Sequence, residues 1–211
     1  MLYLISGLGA DERIFGRLSF LEKQEHKHLQ WVPPNGNNLK EYALRLSEQI
    51  DRDEEVILMG VSFGGMVAVE ISKILPCKKV ILISSAATKQ EIPSFYRFFG
   101  KLKLHILLPS QLLKWANPVT YFLFGMYQPN DKTLLKNILQ DTDAPFLKWA
   151  INAILQWNNK EIPANLLQIH GMKDWVLPCP KTKNIIKIQK GGYLMVWTEA
   201  RQIDDALKLL I

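Results

Sequence analysis

Short apolar runs recur along the chain at residues 2–5, 29–32, 56–59, 80–83, 166–169 and 185–188, each closed by turn residues. Most lack polar alternation, the mark of strands buried on both faces. Between them lie stretches of helical period, clearest at Leu39, Tyr42, Ala43, Leu46 and Ile50, with Glu41 and Arg45 four apart on the opposite face. The last such stretch predicts a helix capped by Thr198, with Ala200, Ile203, Leu207 and Leu210 turned inward and Asp204 placed to pair with Lys208. This alternation predicts an α/β fold: a mostly parallel central sheet of about six strands with helices on both faces.

One stretch, 91–161, breaks the scheme. Its apolar residues follow a helical rhythm interrupted at Pro109, Pro118, Pro129 and Pro145, which predicts a helical cap inserted before the last two strands. From Ile92 to Asn130 it carries Arg97, Lys101, Lys103 and Lys114 and no acidic residue, beside Phe95, Tyr96, Phe98, Phe99, Trp115, Tyr121, Phe122 and Phe124. The plainer reading packs these aromatics onto the sheet and leaves the lysines solvated. The other makes the stretch a greasy lid over an apolar substrate, or a surface touching anionic lipid. No uninterrupted amphipathic helix is visible, so membrane contact is not expected.

The 211 residues, 48% hydrophobic and 22% charged, suit a single domain and exclude wholesale disorder. The net charge of +6 is scattered as single and paired basic residues. Without a zinc-finger spacing, an RNP-like motif or a basic helix, no nucleic-acid partner is expected. Cys77 and Cys179 stand far apart, outside any CxxC or His/Cys cluster, and are expected to be free thiols with no metal. The N-terminal run is too short for a signal peptide or a membrane span, so a cytoplasmic location is expected.

Candidate chemistry begins at Gly60-Val61-Ser62-Phe63-Gly64-Gly65, between a predicted strand and a predicted helix. In a G-x-S-x-G elbow the serine sits in a strained strand-to-helix turn that only glycine neighbours allow, which makes Ser62 a candidate nucleophile. The alternative is a tight turn with close helix packing and no chemistry. After another strand, Ile169-His170-Gly171-Met172-Lys173-Asp174 offers Asp174 as an acid that orients a base; alone, Asp174 reads equally as a turn residue. Ser6-Gly7-Leu8-Gly9-Ala10-Asp11 follows the first strand. Its backbone can aim the Leu8 N–H at the same point as the Phe63 N–H, giving two oxyanion donors. Equally, those glycines only turn the chain while Asp11 caps the next helix.

Together these three motifs resemble the α/β-hydrolase fold superfamily, in a short, serine-esterase-like form, over nearly the whole chain. The resemblance implies that the first strand here corresponds to the family's third and that the cap follows its sixth. It also implies the order serine, acid, histidine, with the histidine in the loop before the final helix. That loop reads Lys190-Gly191-Gly192-Tyr193-Leu194, and Tyr193 stands where the family pattern resembles Gly-Gly-His. No histidine follows Asp174. His26 and His28 precede a predicted strand at its wrong end, His170 is expected to buttress the acid loop, and His105 in the cap is the one that could swing in.

A phenol with an ordinary pKa near 10 stays protonated at neutral pH and cannot take the serine proton as imidazole does. Three accounts of Tyr193 stand: a departure in a protein that now binds a ligand, a deliberate replacement of the base, or a site where phenol and Asp174 support other chemistry. The tyrosine is expected to fill the vacated space and donate its hydroxyl to Asp174. The resemblance implies a serine esterase-like hydrolase of small apolar carboxylic esters or acyl compounds, impaired at its base and needing no cofactor. Its rival is a non-catalytic small-ligand receptor or binding protein on the same fold. A third option is a partner-binding protein that uses the basic aromatic cap.

Overall fold

A computed structural model describes residues 1–36, 38–101, 114–182 and 185–208, with the backbone alone at 97 and 99–101. Six strands, β1 (Leu2–Ile5), β2 (His26–His28), β3 (Ile57–Val61), β4 (Lys79–Ile83), β5 (Leu166–Gly171) and β6 (Ile185–Ile188), form one sheet in the order β2-β1-β3-β4-β5-β6. Every neighbouring pair is parallel. Successive residues of the inner strands feed opposite faces, as the two-residue strand period requires. Tyr3, Ile5, Leu58, Val80 and Leu82 join one buried cluster, and Leu2, Leu4, Ile57, Met59, Ile81 and Ile83 the other. This is why most of the sequence runs lack polar alternation.

The strand expected at 29–32 is displaced: β2 is formed by His26, Lys27 and His28, the residues expected to precede it. Being an edge strand, it pairs only with β1 and carries a polar face, the usual protection of a free edge. Leu29 adds one more ladder bond, to the Leu4 carbonyl (2.9 Å), before the chain leaves the sheet toward Pro33 and Pro34. Trp31 and Val32 pack against the interior instead.

Helices α1 (Leu39–Leu46) and α2 (Phe63–Ile71) cover the first cluster; the helix expected to run on to Ile50 tightens into a 3-10 turn at Ser47–Gln49. Between β4 and β5 lie α3 (Ser94–Lys101), α4 (Pro118–Phe124), α5 (Pro129–Asp141) and α6 (Ala144–Gln156). Three of the prolines read as interruptions begin these helices, occupying first-turn positions where no N–H is missed. Pro109 lies outside the described residues. The aromatics of this segment divide. Tyr96, Tyr121 and Phe124 pack against the core, whereas Phe95, Phe98, Trp115 and Phe122 are more than half exposed. No helix among the described residues is long and apolar enough to cross a membrane.

After β6 the chain forms α7 (Met195–Thr198) and α8 (Ala200–Lys208). Thr198 therefore ends one helix rather than capping the next, and the Glu199 carbonyl takes the Ile203 N–H. Ala200, Ile203 and Leu207 face inward as expected, and Leu210 lies outside the described residues. Asp204 does not reach for Lys208. Buried, its carboxylate accepts the N–H and hydroxyl of Ser19 and the N–H of Phe20, tying α8 to the turn after β1.

An aromatic cluster fastens α6 to the rest. Phe146 lies 5.4 Å from Trp31, 6.2 Å from Tyr42 and 6.4 Å from Phe63, centroid to centroid. Replacing Phe146 by alanine empties the centre of this cluster. The expected cost is about 3 kcal/mol, a fall in Tm of about 6–12 °C in a thermal melt.

Candidate active site

The sequence Gly60 to Gly65 folds as a sharp turn from β3 into α2. Ser62 takes φ 52° and ψ −119°, a left-handed conformation costly for a residue with a Cβ. Its surroundings hold it there. The Ser62 N–H donates to the Ile83 carbonyl (3.0 Å), and its own carbonyl accepts the Gly65 N–H (3.0 Å) and the Ser85 hydroxyl (2.5 Å). A Cβ at Gly60 would overlap the backbone of Gly64, and one at Gly64 would overlap the carbonyls of Ile5 and Ser6. Glycine at both places is thus what lets α2 descend against β1 and leave Ser62 at the carboxyl edge of the sheet.

The loop after β1 lies against this turn. The Ala10 N–H closes a turn on the Gly7 carbonyl (3.0 Å), with Gly9 at φ 68°. A Cβ on Gly7 would stand 3.6 Å from the Ser62 Cβ. Neither the Leu8 nor the Phe63 N–H is engaged by another described residue. The Phe63 ring is fully buried among Trp31, Phe146 and Trp149, which fixes the backbone that carries its N–H.

Contacts that sequence reading did not find hold the loop from the far side. The Thr142 hydroxyl, between α5 and α6, lies 2.7 Å from the Gly9 carbonyl and 2.7 Å from the Ile138 carbonyl, and its proton is shared between the two acceptors. Trp31 Nε1 and the Ser6 hydroxyl both donate to the Ala10 carbonyl. Asp11 caps the turn over Glu12–Phe15 as expected, and its carboxylate forms a forked pair with Arg13, which also reaches Asp141 (2.7 Å). The Arg13 guanidinium holds the Asp11 carboxyl below its usual value. Only the Asp11-x-Arg13 spacing could have signalled any of this.

Tyr193 comes to Ser62. Its hydroxyl is hydrogen-bonded to Ser62 Oγ, and either oxygen can be the donor. The ring is partly buried and meets Phe124 edge to face at 5.0 Å. Around it the Leu194 N–H donates to the Phe124 carbonyl (3.1 Å), and Gly192 packs on Gly125, which ends α4 in the left-handed conformation. Burial pushes the Tyr193 phenol far above its ordinary value of 10.0, against the smaller downward pull of the Ser62 bond; the charges of Asp174 and Tyr96 add to the rise.

Asp174 follows β5 and is buried nearby, close enough that its charge also raises the Tyr96 phenol, whose shift comes first from burial. It does not bond Tyr193. Asp174 Oδ1 instead accepts the N–H groups of Val176 (3.0 Å) and Leu177 (2.7 Å), while Oδ2 is buried without a hydrogen-bond partner among the described residues. The expectation that the phenol donates to Asp174 is therefore corrected: the serine oxygen is its partner. His170 does buttress the acid loop, bonding the Leu177 carbonyl through Nε2 (2.7 Å), with Asp174 Oδ2 at 3.5 Å. His26 and His28 are in β2, and His105 lies outside the described residues. Cys77 and Cys179 are unpaired, and among the described residues no group of acids, histidines and cysteines converges as a metal site.

Beside Ser62 and Tyr193 opens a cavity of about 200 Å3, roofed by α5 and α6. A six-stranded parallel sheet, a helical segment before its last two strands and a serine elbow at its carboxyl edge define the α/β-hydrolase fold, and this chain has it. Solved structures bear this out. A lipase-esterase related protein from Clostridium acetobutylicum is 17% identical, with a TM-score of 0.74 over 100% of this chain and 93% of its own. A hydrolase from Oleispira antarctica is 17% identical (TM-score 0.73; 99% and 89% covered), and an esterase from Exiguobacterium antarcticum is 17% identical (TM-score 0.71; 99% and 91%). No protein-family model and no curated protein matches the sequence.

Thr142 ties the β1 loop to the α5–α6 junction through one hydroxyl. In chemical denaturation, Thr142→Val is expected to cost about 1 kcal/mol, the worth of a hydrogen bond whose acceptor stays behind; Thr142→Ser keeps the donor and most of the stability.

Proposed function

We propose that the protein is a serine hydrolase of small apolar carboxylic esters or related acyl compounds, working far below the capacity of its fold because Tyr193 stands in the place of the general base. The observation that carries this reading is the strained Ser62 elbow with a neutral phenol bonded to its Oγ. In this reading Ser62 Oγ attacks the acyl carbon, the N–H groups of Leu8 and Phe63 receive the oxyanion, and the acyl chain enters the cavity beneath α5 and α6. The segment 91–161 is the cap over that cavity.

Proton transfer is the failing step. The Ser62 proton must leave as the Oγ–C bond forms, and a phenol whose pKa is raised by burial has no affinity for it near neutrality. In this reading Asp174 holds the acid's position, but the imidazole beside it, that of His170, bonds the Leu177 carbonyl, and no described imidazole joins Asp174 to Ser62. What is left is positioning and oxyanion binding, which in serine hydrolases lacking a triad member sustain ~10³ to 10⁴-fold catalysis over water.

A second reading, a small-ligand binding protein, is favoured by the same Ser62 to Tyr193 bond, since it occupies the nucleophile with a partner that cannot activate it. Hydrolysis of p-nitrophenyl acetate and butyrate, with fluorophosphonate labelling, decides between the two. Slow turnover that disappears in Ser62→Ala supports the hydrolase; no turnover and no labelling supports the binder. Tyr193→His is expected to raise kcat/KM by ~10²-fold or more. It should also introduce a pH dependence absent from the parent, with activity rising as pH climbs through the imidazole range near 6.5, because only neutral imidazole accepts the proton. If Tyr193→His gains nothing, residue 193 does not occupy the base position.

A further inference from the structure

The cavity beside Ser62 is apolar on all sides but one. Its walls include Ile14, Leu135, Ile138, Leu139, Leu147 and Ile151, and polar side-chain atoms reach its lining only as the hydroxyls of Ser62 and Tyr193. Those two hydroxyls carry two protons and spend one on each other, so whichever is the donor, the pair has one O–H left over. Leu8, in the lining, adds an N–H group that no described residue engages; the Phe63 N–H, also unengaged, belongs to the residue that follows Ser62 and whose ring is packed in the core. Phe63 is the first residue of α2, so the positive end of that helix lies at the same point. Asp174 is absent from the lining. An imidazole at 193 would have offered a ring nitrogen as an acceptor, but a protonated phenol contributes a donor, and the polar end of the cavity becomes a place of convergent donors.

We infer that this pocket binds an apolar carboxylic acid as its anion, the carboxylate received by the Leu8 and Phe63 N–H groups and the free hydroxyl of the Ser62 to Tyr193 pair, the hydrocarbon tail filling the cavity. The inference deepens the binding reading and rests on the Ser62 site, but it needs no turnover. Size sets the tail. A dry cavity of about 150 Å3 accommodates benzene, so about 200 Å3 suits a tail of roughly five to seven carbons. A buried ammonium would find no acceptor of opposite charge in this lining, and an alcohol would leave donors unmatched.

Calorimetric titration of the intact protein with hexanoate, acetate, hexan-1-ol and hexylamine tests this. Hexanoate is expected to bind saturably and raise Tm. Acetate, lacking four buried methylenes, should bind ~10²-fold more weakly, and the alcohol and amine at least about tenfold more weakly. Two substitutions fill the cavity from different helices, Leu139→Trp on α5 and Ile151→Phe on α6, and each is expected to weaken hexanoate at least about tenfold. Tyr193→Phe leaves the Ser62 hydroxyl with its own O–H free, so the number of donors is unchanged and hexanoate affinity is expected to shift by less than about fivefold. The inference is overturned if hexanoate does not saturate, if hexan-1-ol or hexylamine matches it, or if neither cavity-filling variant that folds changes its affinity. Ester turnover plays no part in these readouts. An active enzyme that ignores hexanoate defeats this inference alone, and an inert protein that binds it defeats the hydrolase reading alone.

Discussion

The contact on which this molecule turns is between two stretches of backbone. At Gly64 the first turn of α2 comes down onto the carbonyls that end β1, so closely that no side chain fits between them. The chain then has no room to leave β3 by an ordinary turn, and the residue between is driven into the left-handed region. Parallel pairing on both sides of β3 makes this sustainable, because the Ser62 N–H is satisfied by β4 and its carbonyl by α2 and Ser85. A conformational penalty of order 1–3 kcal/mol is thus offset by bonds that would be absent in a relaxed turn.

Around that fixed hydroxyl, the polar groups are arranged in an uncommon balance. The usual worry for a buried carboxylate is solvation, and Asp174 meets it by drawing its own loop around one oxygen. The other oxygen has no hydrogen-bond partner among the described residues, with His170 Nε2 at 3.5 Å. Tyr193 stands close enough to feel the charge but spends its hydroxyl on the serine. Donor and acceptor sides of the site are therefore separated: the carboxylate faces its loop and His170, and the cavity sees only hydroxyls and amides. This separation gives the proposals about turnover and about ligand class their common root.

Much of this was legible in the sequence, for identifiable reasons. Strands β1, β3 and β4 announce themselves as unalternating apolar runs because both their faces are covered; β5 and the edge strand β6 open on apolar pairs but carry Gln168, His170 and the exposed Lys187. Strand β2 does not, because an edge of His-Lys-His has no apolar signature, and the apolar run next to it belongs to the aromatic cluster. The elbow was readable because a steric demand on backbone leaves its mark as glycine at fixed spacing. Where Tyr193 would point was not readable, since a choice between two acceptors depends on distances that spacing does not encode. The bond from Thr142 to Gly9 joins residues 133 positions apart, and nothing local foretells it.

The seat of Gly192 on Gly125 reaches further than its size suggests. One neighbour of residue 193 is pressed against the end of α4, the other is tied to the Phe124 carbonyl, and the phenol leans on the Phe124 ring. Displacing α4 from the sheet would remove all three supports of the phenol together, so the packing of α4 and the bond to the serine stand or fall as one.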